Sequence, residues 1–328
     1  MTQSPPREEA LPQALILAGP TASGKSALAL ALARRFGGTV INADSMQLYR
    51  ELRVLTARPT PEEQAEVPHR LYGVRAAAEA ASVAWWRAAA LAEMDAAHAA
   101  GRLPILTGGT GLYFLSLTEG LSAIPPVPAP ARMEARALLT ELGAPALHAR
   151  LAAVDPETAA GLRPGDSQRI ARAWEVWRGT GRGLAAWQRE GARTGPAPWR
   201  FAAILLDPPR DILRAAIAAR FDRMLAEGAL EEVRALLAQQ LDPALPAMRA
   251  HGVPELGAYL AGRMTLERAR ERTVLNIGQY TKRQATWFRH HVLADPGRTH
   301  IIHARITGDA QFSGSDWVET FAFVDRGR

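Results

Sequence analysis

The sequence predicts an α/β fold: a parallel sheet with helices on both faces, interrupted by a helical insertion. Three observations carry this. The apolar run ALILA at 14–18 leads through GPTASGKS at 19–26 into the alanine- and leucine-rich stretch 27–32, an order of strand, glycine-bearing turn and helix. Strand-like and helix-like segments then alternate up to residue 107. Finally, the proline-rich IPPVPAP at 124–130 starts a change of character, and a strand-like run returns at 201–206.

Each element has a local reason. Residues 14–18 read as a buried strand because the run is short, apolar and bounded by Gly19 and Pro20. Residues 24–36 read as a helix ended by Gly37 and Gly38. Thr39, Val40, Ile41 and Asn42 read as a second strand, running out at Asp44, and residues 82–100 as an alanine-rich helix closed by Gly101. Residues 103–107 (LPILT) are a third strand, followed by GGTG at 108–111. Arginine-bearing helical sequence runs from the linker to about residue 190, and 191–198 is a second loop. FAAILL at 201–206 returns to the sheet. Long helices are expected over 209–240 and 265–291, the first apolar at Leu213, Ile217, Phe221, Met224 and Leu225. The expected domains are an α/β core at 12–121 and 199–295, a helical insertion at 122–198, and a tail at 296–328 that shows no pattern.

Composition narrows the class. The 328 residues are 48% hydrophobic, enough for a substantial core. Cysteine is absent, which excludes disulfides and thiolate metal sites. The polar residues 1–13 lack the order of a signal peptide, and no apolar run approaches the roughly 20 residues of a membrane span. A soluble cytoplasmic protein, with a monomer as the starting expectation, follows. Lysine plus arginine is 39 against 33 acidic residues, a net charge of +6 that permits a nucleic-acid partner without demanding one.

The stretch Gly19, Pro20, Thr21, Ala22, Ser23, Gly24, Lys25, Ser26 fits G-x-x-x-x-G-K-[ST] and makes the core P-loop NTPase-like, of the nucleotide-binding kind. The glycines let the backbone curl and point amide N–H groups at anionic oxygens. Lys25 adds a point charge, Ser26 a hydroxyl suited to Mg²⁺, and the following helix its positive end. The loop does not name the reaction. A hydrolytic motor usually ends an apolar strand in a Mg²⁺-holding carboxylate, whereas the strand at 103–106 here runs into Thr107. The insertion is also larger than a compact kinase lid and rich in tryptophan. Phosphates bound without phosphoryl transfer are consistent with both features.

Asp44 should face this loop across the crevice at the carboxyl ends of the strands. There it would hold Mg²⁺ or accept a proton from a nucleophile; the alternative is a helix N-cap. Ser45 and Gln47 offer a hydroxyl and a planar amide suited to a base edge, next to Met46. Thr110, between glycines, can approach a ligand closely or simply mark a turn. Gln168 and Arg172 share one helix face near Trp174 and Trp177, which suits single-stranded RNA or else a solvated face over core tryptophans. Lys282 and Arg283, ahead of Trp287 and Phe288, repeat the basic-plus-aromatic theme.

Taken together, GPTASGKS, NADSMQLYR, LTARP, VPHRL, GGTGLY, QRIARAWEVWRGTG, DRMLAEGALEEV, AHGVPEL and KRQATWFRH, in this order over about residues 14–291, resemble the tRNA dimethylallyltransferase (isopentenyltransferase) family. The resemblance implies transfer of a dimethylallyl group from dimethylallyl diphosphate to the exocyclic amine of the adenosine 3′ of the anticodon, in tRNAs reading codons that begin with U. It implies Asp44 as general base, Thr110 near the reacting centre, and Lys25 and Ser26 on diphosphate and Mg²⁺. Thr21 to Ser26 would line the diphosphate site. Asp44 to Gln47, Arg132, and Gln168, Arg169, Ile170, Ala171 and Arg172 would contact the anticodon stem-loop. The rivals are prenylation of free adenine nucleotides, a small-molecule kinase, and a silent tRNA-binding protein.

One departure stands out. Where the family has Thr-Arg before Gln279-Tyr280, this chain has Ile277 and Gly278. A glycine neutralises no charge. Either another cation such as Arg283 or Arg272 substitutes, or stabilisation of the leaving group is impaired; impairment is the expectation, with Gly278→Arg raising turnover. The changes at Leu55 and Arg58 in LTARP are expected to be tolerated.

Overall fold

The computed structural model describes residues 11–191, 193–308 and 315–327. Residues 1–10 of the polar N-terminal stretch, and 309–314 and 328 of the tail, lie outside the described residues. The chain divides into two compact units, Met1–Glu119 with Pro196–Arg328, and Gly120–Gly195.

The first unit is built on a six-stranded sheet whose neighbours all pair in parallel. Its strands are β1 (Gln13–Ala18), β2 (Gly38–Asn42), β3 (His69–Arg70), β4 (Leu103–Gly108), β5 (Arg200–Leu206) and β6 (Thr299–Ile302), in the order β3-β2-β4-β1-β5-β6. Strand β1 is central, with Leu15 opposite Ile105 on one side and Ala202 on the other. Its residues alternate between two cores. Ala14, Ile16 and Ala18 join Trp86, Met94 and Phe114, whereas Leu15 and Leu17 join Leu28, Leu32 and Phe36. A strand covered on both faces reads as a continuous apolar run, which is why its period is invisible in the sequence.

The helices of this unit are α1 (Lys25–Phe36), α2 (Pro61–Glu66), α3 (Val83–Ala99) and α4 (Gly111–Thr118) before the junction. The second unit holds α5 (Ala129–Val154), α6 (Pro156–Ala160), α7 (Ser167–Thr180) and α8 (Leu184–Glu190). Helix α5 is broken at Gly143, whose φ of 75° and ψ of 167° leave the helical region just before Pro145. Its core gathers Ala135, Leu147, Leu151, Ile170, Ala173 and Trp174. After β5 come α9 (Arg210–Ala226), α10 (Ala229–Ala238), α11 (Val253–Leu260), α12 (Leu266–His290) and α13 (Ser315–Gly327).

Three features differ from the sequence reading. The helix expected over 209–240 is two, because Gly228 takes φ 100° and turns the chain between them. The edge strand β3 has two residues, too few for any periodic signal. The tail supplies both the other edge strand, β6, and α13, which buries Trp317 and Val324 with Leu32 and Phe36.

Candidate active site

In a parallel sheet the loops that follow the strands collect at one edge. Here direct hydrogen bonds join the loops after β2 and β4, and a side chain of α12 bridges the loops after β1 and β4.

The phosphate loop runs from Gly19 to Gly24. Ala22 at φ 65° and Gly24 at φ 95° are left-handed, the pattern that turns amide N–H groups inward to form an anion-binding hollow. Gly24 has a second reason to be glycine: a Cβ there would lie 2.2 Å from the Ile306 carbonyl oxygen. Lys25 Nζ donates to the carbonyls of Gly19 and Pro20, both at 2.8 Å, and so arches over the loop. Protein packed around its ammonium lowers its pKa to about 7, with Asp44 acting upward and Arg220 downward. Ser26, the next residue of α1, is exposed.

Asp44 follows β2 and is fixed by the fully buried Asn42. The Asn42 side-chain oxygen accepts from Asp44 N (2.8 Å), and its amide donates to the carbonyls of Asp44 and Leu71. Asp44 Oδ1 accepts from Met46 N at 3.0 Å, closing a side-chain turn. No helix starts here, which removes the N-cap alternative. The Asp44 charge acts on Lys25, Arg220 and His251, and adds to the burial that pushes Tyr280 up to about 12. Thr110 ties in the loop after β4: its Oγ1 accepts from Ser45 N at 3.0 Å, and its N–H donates to Ala43 O at 3.2 Å. Gln47 uses its NH₂ on the carbonyls of Thr56 and Ala57, so its oxygen is the end that can serve a ligand. Met46 packs against the core around Leu52 and Leu55.

Two residues of this site escape the sequence reading. Gln284 on α12 is buried, and its Oε1 accepts from both the amide (2.9 Å) and the hydroxyl (3.0 Å) of Thr21. Its Nε2 donates to Gly109 O at 2.9 Å. A Cβ on Gly109 would lie 2.1 Å from that nitrogen, so the glycine makes room for the bridge. Arg220 on α9 donates to Thr56 O at 3.3 Å. Burial holds its pKa below the ordinary arginine range, with Asp44 acting upward and Arg223 and Arg305 downward. A signal for Arg220 is present: it stands in the 213, 217, 221, 224 stripe, where a charge on an apolar face needs a reason. Lys282 and Arg283, immediately before Gln284, are exposed, and the Arg283 guanidinium lies 5.6 Å above the Tyr280 ring. Gly278 sits inside α12, and a methyl group at its α-carbon would meet nothing within 4 Å.

In the helical unit, Gln168, Arg169 and Arg172 are exposed on α7, with Arg172 paired to Glu175 at 3.2 Å and Arg169 to Asp166 at 3.5 Å. Ile170 and Ala171 correct the expectation. Ile170 is fully buried in the core of this unit and Ala171 is 8% exposed, so neither presents a surface to RNA. The neighbouring Trp174 is buried in the same core and Trp177, half-buried, packs against it, with ring centroids 5.2 Å apart. Arg132 is exposed and donates to Val127 O.

Comparison with known proteins gives the family. The family model for IPP transferase matches residues 47–291. The chain is 61% identical over 310 residues to the tRNA dimethylallyltransferase of Gluconacetobacter diazotrophicus, covering 94% of this chain and 93% of the relative. It is 59% identical to that of Gluconobacter oxydans, with 97% and 96% covered. Among solved structures, the tRNA isopentenylpyrophosphate transferase of Bacillus halodurans superposes with a TM-score of 0.65 at 31% identity, covering 95% of each chain. A eukaryotic dimethylallyltransferase acting on tRNA superposes with a TM-score of 0.77 at 24% identity, over 96% of this chain and 80% of that one, a likeness of fold.

Proposed function

The chain belongs to the IPP transferase family, and on that premise we propose that it transfers a dimethylallyl group from dimethylallyl diphosphate to tRNA. The acceptor is the exocyclic amine of the adenosine 3′ of the anticodon, in tRNAs reading codons that begin with U, and diphosphate is released. The observation that supports this best is geometric: hydrogen bonds run from Thr21 of the phosphate loop through Gln284 to Gly109, and from Thr110 to the Asp44–Ser45 turn, at the carboxyl edge of the sheet.

An allylic C–O bond breaks readily once the departing charge is neutralised. Lys25, Arg220 and the phosphate-loop amides at the N-terminus of α1 would do this. The amine nitrogen forms the new bond to the allylic carbon and loses a proton to Asp44, whose orientation is set by Asn42 and Met46 N. Thr110 holds the Asp44–Ser45 turn from the other side. A base reaching this edge must leave the anticodon stack. On the helical unit, Gln168, Arg169, Arg172 and Arg132 would contact the anticodon stem-loop, as would Lys282 and Arg283 on the sheet unit.

Ser26 is the protein ligand we propose for Mg²⁺. Among the described residues no group of three or more His, Asp or Glu could hold a metal, so the other ligands would be diphosphate oxygens and water, a set Mg²⁺ accepts. Bound Mg²⁺ supplies further neutralisation of the leaving group. Among the described residues no helix is long and apolar enough to cross a membrane. We take a cytoplasmic monomer as the working form.

The test is incubation with Mg²⁺, labelled dimethylallyl diphosphate and unmodified tRNA, without ATP. Labelled tRNA is expected, and Asp44→Asn should lower turnover by about 10²- to 10⁴-fold with little change in melting temperature. Label on free adenine nucleotide instead, or a requirement for ATP, would exclude this function.

A further inference from the structure

The chain leaves β6 at Ile302 and returns to the phosphate loop. The Ile306 N–H donates to Ser23 O at 3.0 Å, and Arg305 Nε donates to Ala22 O at 2.9 Å. A loop that turns its N–H groups toward an anion turns carbonyls the other way, and those carbonyls need donors. Ala22 also keeps a left-handed φ of 65°, which alanine adopts only when its surroundings impose it. The segment 305–306 is the partner that holds the Ala22 and Ser23 carbonyls. It is firmly seated: the Ile306 side chain is 2% exposed in the core shared with Leu28 and Trp317, and its carbonyl occupies the space that a Cβ on Gly24 would need. The Arg305 charge also acts on Arg220, which brings it within electrostatic range of the cluster around Asp44.

We propose that Arg305 is a positioning residue of the diphosphate site. It acts through Ala22, holding the strained turn that aims the loop amides, and its charge adds to the field at the departing diphosphate. The assignment rests on the function proposed above for that loop. The same segment explains why Gly24 and Ala22 can keep their conformations while the inner face of the loop stays open to an anion.

The experiment uses the full chain with Arg305→Ala, Arg305→Gln and Arg305→Lys. Inorganic pyrophosphate binding is measured by calorimetry, and KM for each substrate by labelled transfer. Arg305→Ala should weaken pyrophosphate binding and raise KM for dimethylallyl diphosphate by about tenfold, the loss expected for one charge-assisted hydrogen bond. KM for tRNA should be unchanged, and the melting temperature within about two degrees of wild type. Arg305→Lys, which keeps charge and a donor, should recover most of the loss, and Arg305→Gln, which keeps a donor alone, part of it. The inference is overturned if Arg305→Ala binds pyrophosphate within about twofold of wild type, an effect under the size of a net hydrogen bond, if both KM values rise together with a lower melting temperature, or if neither conservative variant recovers anything. Wild type that binds pyrophosphate yet prenylates no tRNA would sink the proposed function and leave the role of Arg305 standing.

Discussion

One carboxamide oxygen, that of Gln284, accepts from both the backbone amide and the hydroxyl of Thr21, at 2.9 and 3.0 Å. Its nitrogen holds Gly109, so a single side chain pins the loop after β1 to the loop after β4. Gln284→Ala removes donor and acceptor together and leaves buried backbone groups unpaired. A loss of about 1–3 kcal/mol is expected, visible as a melting point several degrees lower. Gln284→Glu keeps the acceptor, loses the donor and adds a negative charge beside the phosphate loop. It should raise KM for dimethylallyl diphosphate more than Gln284→Ala does; the reverse order would show that bridging, not charge, governs the site.

Lys25 makes stability and binding depend on pH. Its pKa is lowered from 10.5 to about 7 by burial. Unfolded, the residue keeps its proton up to the ordinary value; folded, it releases it near 7. Between these values the unfolded chain binds more protons, so the Lys25 contribution to stability rises with pH from about 7 to 10 and is least favourable below 7. An adjacent diphosphate favours the ammonium and restores the proton. At pH 8, pyrophosphate binding to wild type should therefore take up more protons than binding to Lys25→Met, by up to one. Calorimetry in two buffers of different ionisation enthalpy reads this directly, and equal proton counts would refute it.

Gly278 separates a structural cost from a chemical one. With nothing within 4 Å of a side chain there, Gly278→Ala should stabilise α12 by about 1 kcal/mol. Gly278→Arg tests whether the leaving group lacks a cation. Under the function proposed above Arg220 would already supply one, so, against the impairment expected from the sequence, we expect Gly278→Arg to gain stability with turnover changed less than about threefold, below what one charged hydrogen bond gives. A larger rise would restore the impairment idea.

The helical unit divides its own residues by face. Replacing Gln168 and Arg172 together should raise KM for tRNA and leave KM for dimethylallyl diphosphate unchanged. Ile170→Ala should instead cost about 2–5 kcal/mol of stability, because the side chain is fully buried in the core of that unit. Equal KM effects on both substrates from the surface pair would argue against RNA contact.

Much of this is legible in the residues. The phosphate loop has a fixed spacing that local backbone chemistry demands, and the buried strands announce themselves as apolar runs. The place of Asp44 at the carboxyl edge of the sheet follows from strand topology, whereas its role as base comes from the family resemblance. Gln284 does not follow, because a buried glutamine in a helix looks like any polar residue until its partners, 263 positions away at Thr21, are known. Arg305 sits in a stretch without periodicity, and β6, half exposed at the sheet edge, gives no alternation to read. Ile170 is misplaced when its motif is read as a block, whereas helical spacing turns Ile170 inward and Gln168 and Arg172 outward.

The bond from Gln284 to Thr21 spans most of the chain, and the contact from Ile306 to Ser23 spans more. Closing such distant pairs is a slow, late event in a folding reaction, whereas the helices of residues 120–195 meet close neighbours in sequence. A nascent or partly refolded molecule can therefore own an intact insertion long before it owns a competent anion cradle. Refolding followed by pyrophosphate capture would lag behind refolding followed by helix content, and added pyrophosphate would pull the laggards forward by mass action.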